Sequence, residues 1–278
     1  MEESGSRTAK MVAAYRARAS EREGAWIADP WARALAGDGG FADALAYDRA
    51  HAHTELYIAV RTALLDDETK RAIADGLDQV VVLGAGYDTR AARLAAPGVS
   101  FFEVDHPSTQ ADKRARLATL AGYPVAAARY VSCDFENESF VERLAADGFA
   151  PDRPALFLWE GVVYYLPEPA VRETLQRIAK GAHPASRLAF DAVGKKLVTR
   201  QVKDPKDLDV LDRVAEMGEP LRFGVDDVVP LLFEAGFRHV RTIRFDEACL
   251  TYTGTYERDR KFRFQSLVQA SVLPPPRP

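Results

Sequence analysis

Val80-Val81-Val82-Leu83-Gly84-Ala85-Gly86-Tyr87-Asp88-Thr89 is the stretch on which the fold turns. Four apolar residues, three of them β-branched, run straight into a glycine loop, and a helical pattern follows from Thr89. A short continuous apolar run of this kind reads as a parallel strand buried on both faces. Glycines at its C-terminal end let the backbone approach a ligand closely; taken alone, Gly-x-Gly is equally a plain tight turn. Downstream, strand and helix patterns alternate. Strands are expected at 100–105, 129–132, 155–159, 187–192, 238–244 and 262–272, and helices at 89–95, 108–121, 139–146, 168–182 and 225–235. That alternation argues for a doubly wound α/β sheet. The last two strands are joined by a polar, Tyr-rich stretch without a clear helix, which suggests an antiparallel hairpin at the sheet edge. Residues 193–223 interrupt the pattern and read as an inserted helical flap.

Upstream the pattern is different. Residues 1–76 lack strand alternation and read as a helical cap ahead of the 77–278 domain. Residues 8–22 are rich in Ala, Arg and Glu, and 54–77 carry an amphipathic stripe of Leu56, Val60, Leu64, Ile73 and Leu77. Asp29-Pro30 reads as a helix start, with Asp as cap and Pro at the first helical position. Gly37-Asp38-Gly39-Gly40 reads as a loop.

Composition narrows the function classes. The chain has 278 residues, 47% hydrophobic and 28% charged, which is ordinary for a globular protein and excludes wholesale disorder. A net charge of −4 argues against nucleic-acid binding, which needs a basic footprint. No apolar run approaches the roughly 20 residues of a membrane span. The opening MEESGSRTAK is polar and acidic, unlike a signal peptide. Cys133 and Cys249 make neither a disulfide framework nor a zinc site, and five histidines without ligand spacing speak against a bound metal. A soluble, cytoplasmic protein is expected.

The next two strand ends sharpen the glycine loop. Phe101-Phe102-Glu103-Val104-Asp105 puts an acid at the end of the second strand, about 20 residues after the loop, where a carboxylate accepts both ribose hydroxyls. Val131-Ser132-Cys133-Asp134-Phe135 ends the third strand with another acid, suited to an adenine amino group, and with Phe135 to pack on the ring. The plainer alternatives are that Asp105 caps the next helix and that Asp134 is a loop acid. The dinucleotide fingerprint asks for a third glycine for close pyrophosphate approach, and Thr89 stands there instead. A ligand with adenosine and a charged amino acid but no phosphate is S-adenosylmethionine, favoured here over NAD. The fourth strand, Ala155-Leu156-Phe157-Leu158-Trp159, runs into Glu160-Gly161-Val162-Val163-Tyr164-Tyr165-Leu166-Pro167. A buried carboxylate there needs a cation, either the cofactor's ammonium or a protein arginine.

These motifs resemble the leucine carboxyl methyltransferase family in its broad sense. The family includes S-adenosylmethionine-dependent methyltransferases of actinobacteria and the tetracenomycin-type carboxyl methyltransferases of polyketide pathways. The resemblance spans about Thr8 to Val272. It rests on Leu83-Gly84-Ala85-Gly86-Tyr87-Asp88-Thr89-Arg90, Phe102-Glu103-Val104-Asp105-His106-Pro107 and Glu160-Gly161-Val162-Val163-Tyr164-Tyr165-Leu166. It implies a class I methyltransferase (Rossmann-like) fold, a seven-stranded sheet with an N-terminal helical cap. It also implies roles: Lys10 and Arg61 hold the cofactor carboxylate, Gly84 and Gly86 form the floor, Asp105 binds the ribose, Asp134 and Phe135 the adenine, and Glu160 the amino group. Arg61 suits its role because a planar guanidinium pairs with a carboxylate bidentately. Lys10 and Arg61 as solvated helix residues are the plainer alternative. The chain is shorter than the eukaryotic protein-phosphatase methyltransferases and departs from them over 195–224, which puts a phosphatase C-terminus in doubt as substrate.

The expected activity is methyl transfer to an oxygen of a small molecule, foremost a carboxylate of a natural-product or polyketide-type acid. A carboxylate is ionised at neutral pH and needs no general base, whereas a phenol, with pKa near 10, benefits from one. His51 and His53 in the cap are the candidate bases for the phenolic alternative. Tyr15, Trp26, Tyr57, Tyr164, Tyr165, Tyr252 and Tyr256 fall in segments expected around the methyl group, with Tyr164 and Tyr165 positioning the acceptor. Arg16, Arg90 and Arg200 are candidates for an acceptor carboxylate. A non-catalytic, cofactor-binding regulator and an NAD-dependent dehydrogenase are the readings from other classes.

Overall fold

The computed structural model describes residues 5–49, 51, 53–135, 137–255 and 264–274. Three helices come first, α1 (Arg7–Ser20), α2 (Ala32–Asp48) and α3 (Thr54–Ala74). Strand and helix then alternate through β1 (Gln79–Leu83), α4 (Arg90–Arg93), β2 (Ser100–Asp105), α5 (Pro107–Leu117), β3 (Ala128–Ser132), α6 (Phe140–Ala146), β4 (Ala155–Trp159), α7 (Glu168–Gly181) and β5 (Arg187–Val193). The last part is α8 (Lys195–Val198), α9 (Pro205–Glu216), α10 (Val228–Ala235), β6 (His239–Arg244), α11 (Phe245–Thr253) and β7 (Gln265–Ser271). A 3₁₀ turn, Val163–Tyr165, follows β4.

The strands form one sheet in the order β3-β2-β1-β4-β5-β7-β6. The first five strands are parallel, with Val80 opposite Phe101 on one side and Leu156 on the other. β7 runs antiparallel between β5 and β6. Every residue of β1 is buried, as its unbroken apolar run requires of a central parallel strand. Strand periodicity sends alternate residues to opposite layers. Val80 and Val82 pack with Ala14, Tyr57 and Ile58 of α1 and α3, whereas Val81 and Leu83 pack with Leu144, Leu175 and Leu232 of α6, α7 and α10. Chain order along the sheet reverses between β1 and β4, so a crevice opens at their C-terminal ends, where doubly wound sheets bind ligands.

Three local expectations need correction. The Gly37–Gly40 segment is no loop: it lies inside α2, which kinks at Gly37 with φ +60°. Asp29 does not cap α2, whose N-cap is Trp31; its carboxylate is buried against Arg16 and Thr89. The connection after β6 does contain a helix, α11, whose Phe245, Ala248 and Cys249 are buried against the cap side of the sheet. Its tyrosines and threonines obscured an apolar face that only the neighbouring α3 explains. Tyr256 lies outside the described residues.

Candidate functional site

The crevice at the sheet reversal is a cavity of about 490 Å³. Its floor comes from the ends of three strands: Gly84, Ala85 and Gly86 after β1, Asp105 at the end of β2, and Glu160, Gly161 and Val162 after β4. One wall is α1, through Thr8, Ala9, Met11 and Val12, and Glu219 after α9 completes the lining opposite. Glu219 accepts a hydrogen bond from the Thr8 hydroxyl, so flap and cap meet over the cavity.

The glycines are required by space and by backbone. Gly84 has φ +65°, and a Cβ there would run into the Val162 side chain. Gly86 has φ +50°, and its Cβ would come within 3.1 Å of the Ala9 Cβ. Both glycines thus let Val162 and Ala9 pack directly on the loop, whose main chain lines the cavity. Asp105 receives the Gly86 N–H and, at 2.6 Å, the His106 N–H. His106 itself is the N-cap of α5, with Pro107 in the first turn. Asp105 therefore holds the glycine loop while its carboxylate lines the cavity. Burial raises its pKa against the lowering by those two amides.

Thr89 has a specific job. It is fully buried, its hydroxyl donates to Asp29 at 2.7 Å and accepts from Arg93 at 2.9 Å. Arg16 donates to Asp29 at 3.0 Å and to the Tyr87 carbonyl. The loop that follows β1 is thus tied to the cap by an ionic clamp.

Below the loop lies an interlocked set of charges. Glu160 accepts from Arg61 Nε at 2.8 Å and pairs with Arg90 Nη1 at 2.7 Å. Arg90 also pairs with Asp66 at 2.7 Å and with Asp88. Burial is the largest single effect on Asp88 and on Glu160 and opposes their ionisation, but the surrounding cations together outweigh it: Arg90, Arg16, Arg93 and Lys113 hold Asp88 at about 2, and Arg90 with Arg61 lowers Glu160. Arg61 donates at 2.8 Å to Asp191 of β5. Asp191 in turn accepts from Tyr57 Oη at 3.0 Å, from Tyr164 Oη at 3.3 Å and from the Gly161 N–H at 2.6 Å. Asp191 was not among the expected site residues. Its signal in sequence is a lone acid in an otherwise apolar run, Leu188-Ala189-Phe190-Asp191-Ala192-Val193.

The expected residues divide clearly. Arg61, Gly84, Gly86, Asp105, Phe135, Glu160, Tyr164 and Tyr165 line one cavity. Lys10 does not: its ammonium is buried 3.9 Å from Asp112 of α5. On α1 it lies two residues from both Thr8 and Val12, on the opposite side of the helix from the cavity wall. Asp134 also lies outside the lining, and its carboxylate accepts the Asn137 side chain at 2.7 Å. Arg16 also lines the cavity while paired with Asp29, whereas Arg90 is spent on internal acids and Arg200 is an exposed partner of Asp212. Tyr15 is bonded to Ala44 and Asp48, and Trp26 stacks on Tyr252 at the outer side of the cap.

A second, smaller cavity of about 100 Å³ adjoins the first. Met11, Val12, Arg61, Tyr164 and Tyr165 line both, so they form the boundary the two share. Burial pushes the hydroxyls of Tyr57, Tyr164 and Tyr165 well above their ordinary pKa, so all three stay protonated. His51 and Asp207 line the smaller cavity away from that boundary.

Known proteins resemble this chain in sequence and in fold. The leucine carboxyl methyltransferase family profile matches residues 9–179. A Streptomyces coelicolor protein named "Putative S-adenosyl-L-methionine-dependent methyltransferase" is 37% identical over 69% of this chain and 71% of its own length. A Mycobacterium avium protein of the same name is 35% identical over 84% of this chain and 77% of its own. The solved structure of a DUF574 family protein from Streptomyces avermitilis superposes with a TM-score of 0.65, covering 97% of this chain and 98% of the other at 16% identity, a likeness of fold. No helix of the described residues is long and apolar enough to cross a membrane.

Proposed function

Given that this chain belongs to the leucine carboxyl methyltransferase family, we propose that it transfers a methyl group to a carboxylate oxygen of a small molecule. It is an S-adenosylmethionine-dependent methyltransferase with a class I fold. The cofactor supplies an electrophilic methyl group on its sulfonium. The cavity suits it in size, in the side-chain-free approach at Gly84 and Gly86, and in the absence of a third loop glycine.

The residue roles in this reading are those the family resemblance implies, and the contacts around each residue support them. Asp105 accepts the ribose hydroxyls while keeping its hold on the Gly86 amide. Phe135 packs on the adenine. Glu160 keeps a free lone pair on each oxygen after pairing with Arg61 and Arg90, and so can also face an ammonium. Arg61 faces the cofactor carboxylate, braced by Asp191 and Glu160. Asp191 is a positioning residue for Arg61 and for the Gly161 turn.

One observation carries the choice of a carboxylate acceptor: the boundary shared by the two cavities offers donors and no base. Arg61 is permanently charged and Tyr165 is held protonated, while the Tyr164 hydroxyl already donates to Asp191. An acceptor already ionised is oriented there by hydrogen bonds and needs no proton removed. Polyketide-type acids are the acceptor class that the family resemblance suggests. His51, in the smaller cavity, supports a phenolic acceptor as the second reading.

The test has two stages. Thermal unfolding with S-adenosylmethionine, S-adenosylhomocysteine or NAD comes first. A ligand at about 100 times its Kd adds roughly 2.7 kcal/mol, a shift of a few degrees, expected for the two sulfur ligands only. Aromatic acids and the matching phenols are then compared as acceptors by ester or ether formation. Esters with a flat pH profile support the carboxylate reading. Ethers whose rate climbs with pH replace it with the phenolic one, and cofactor binding without turnover of any acceptor points to a regulator.

A further inference from the structure

Three consecutive residues of the loop after β1 are held by one neighbouring segment, the end of β2 and α5. Asp105 accepts the Gly86 N–H, Asp112 accepts the Tyr87 hydroxyl, and Lys113 donates to the Asp88 carbonyl at 2.5 Å. The third tether differs from the other two. Lys113 is a fully buried amine, and it grips main chain just before α4 begins. Its ammonium also pairs at 2.5 Å with Glu103 of β2, which is buried as well. A buried ion pair is by itself weak evidence for stability, since a hydrophobic pair of similar volume often serves as well. A hydrophobic pair, however, could not hold the Asp88 carbonyl.

Fixing that carbonyl fixes the direction in which the Asp88 side chain leaves the loop. Asp88 lines the cofactor cavity and pairs with Arg90, and Arg90 pairs in turn with Glu160 at 2.7 Å. We infer that Lys113 is a positioning residue for the amino-acid end of the cofactor: it sets Asp88 and, through Arg90, Glu160, with Glu103 as its counter-ion. The inference rests on the role given to Glu160 above. The ribose end is set separately, by Asp105 and its hold on Gly86. The two ends of one ligand therefore depend on different tethers. Glu103 depends on Lys113 in return. Its second oxygen has no hydrogen-bond partner among the described residues, nor do the hydroxyls of Tyr123 and of Tyr130, the residue opposite it in β3. Burial pushes the Glu103 carboxyl up to about 7 against the pull of Lys113. Loss of the amine thus leaves an acid that takes up a proton, so the fold can survive the change.

The experiment measures, by calorimetry on the full chain, the Kd of S-adenosylhomocysteine and of adenosine, which lacks the amino-acid end. Wild type is compared with Lys113→Met, Glu103→Gln and the double variant. Lys113→Met is expected to weaken S-adenosylhomocysteine at least tenfold and adenosine less than twofold. Glu103→Gln keeps the donor to Asp88. Its amide oxygen can still accept from Lys113, and the Asp88 and Asp105 carboxylates face the same ammonium, so both Kd values should stay within twofold. The double variant removes the buried acid together with the amine. Its melting temperature should match or exceed that of Lys113→Met, with S-adenosylhomocysteine still at least tenfold weaker, and it keeps the test open should Lys113→Met not fold. Equal weakening of the two ligands, or recovery of S-adenosylhomocysteine affinity in the double variant as its stability recovers, overturns the inference and makes Lys113 merely structural. If the wild type prefers S-adenosylhomocysteine to adenosine and Lys113→Met keeps that preference, the inference falls alone. If the wild type shows no such preference, the role of Glu160 falls and takes the inference with it.

Discussion

The two cavities meet at five residues yet are built on opposite principles. The larger is held by charges that brace one another: Asp191, Arg61, Glu160, Arg90 and Asp66 form a continuous buried chain of ion pairs. The smaller mixes aliphatic side chains, Ile58 of α3, Leu197 of α8 and Val210 and Val214 of α9, with polar ones such as His51, Thr54 and Asp207. In the first, each group is fixed in direction, and losing one strands its partner, because a buried unpaired charge is costly. The aliphatic contacts of the second are non-directional, so methyl groups can be traded for others of similar volume at modest cost. A constant ligand suits the first construction and a variable one suits the second.

Substitutions can break this contrast, and the largest effect is expected at Asp191. Replacing it with Ala removes the acceptor for Arg61, Tyr57, Tyr164 and the Gly161 amide at once. A loss of about 3–5 kcal/mol in denaturant unfolding is expected, the scale of stranding a buried charge. A loss below 1 kcal/mol would show that the charge chain is not braced as described. Gly84→Ala comes next. It forces a side chain onto Val162 at φ +65°, and strain of about 1–3 kcal/mol should appear as lowered thermal stability together with weakened cofactor binding.

Asp105→Asn should leave the fold nearly intact and weaken S-adenosylmethionine by about 1–3 kcal/mol, as expected when a charge-assisted hydrogen bond is lost. Calorimetry at wild-type affinity would remove Asp105 from the ribose site. Its titration gives a second check. The ionised form is the acceptor, and burial raises its pKa, so cofactor affinity should fall on acidification, starting above the usual carboxylate range. In Asp105→Asn that pH dependence should vanish. The smallest effect is expected from Thr89→Val, which keeps shape and removes the hydroxyl bonded to Asp29. About 1 kcal/mol of stability should be lost, with Arg16 still clamping Asp29 to the cap.

Much of the fold was legible because its signals are local. The β1 run, the glycine loop and the apolar spacing of α7 are each contained in a few consecutive residues. Six of the seven strand ranges fall within a residue or so of expectation, and the seventh, 262–272, begins three residues before Gln265, where β7 starts. Two of the cofactor candidates that fall outside the cavity, Lys10 and Asp134, show the limit. Residue type and rough position were suitable, but the rotation of α1 and the Asn137 partner determine where their side chains go. α11 was missed for a similar reason, since its apolar face has meaning only against α3 and the sheet.

What this sequence determines by itself is the layered α/β sheet and the kind of ligand its reversal point serves. Periodicity, glycine and strand-end acids act over short distances along the chain. Only the tertiary structure could decide which arginine answers which acid. Arg61 and Asp191 are 130 residues apart, Arg61 and Glu160 99 apart, and nothing in either neighbourhood names the other. The boundary shared by the two cavities is likewise a product of α1, α3 and the turn after β4 meeting in space. Long-range pairing of buried charges follows from the packing of elements, and that packing is the sum of many weak contacts that no single stretch of sequence contains.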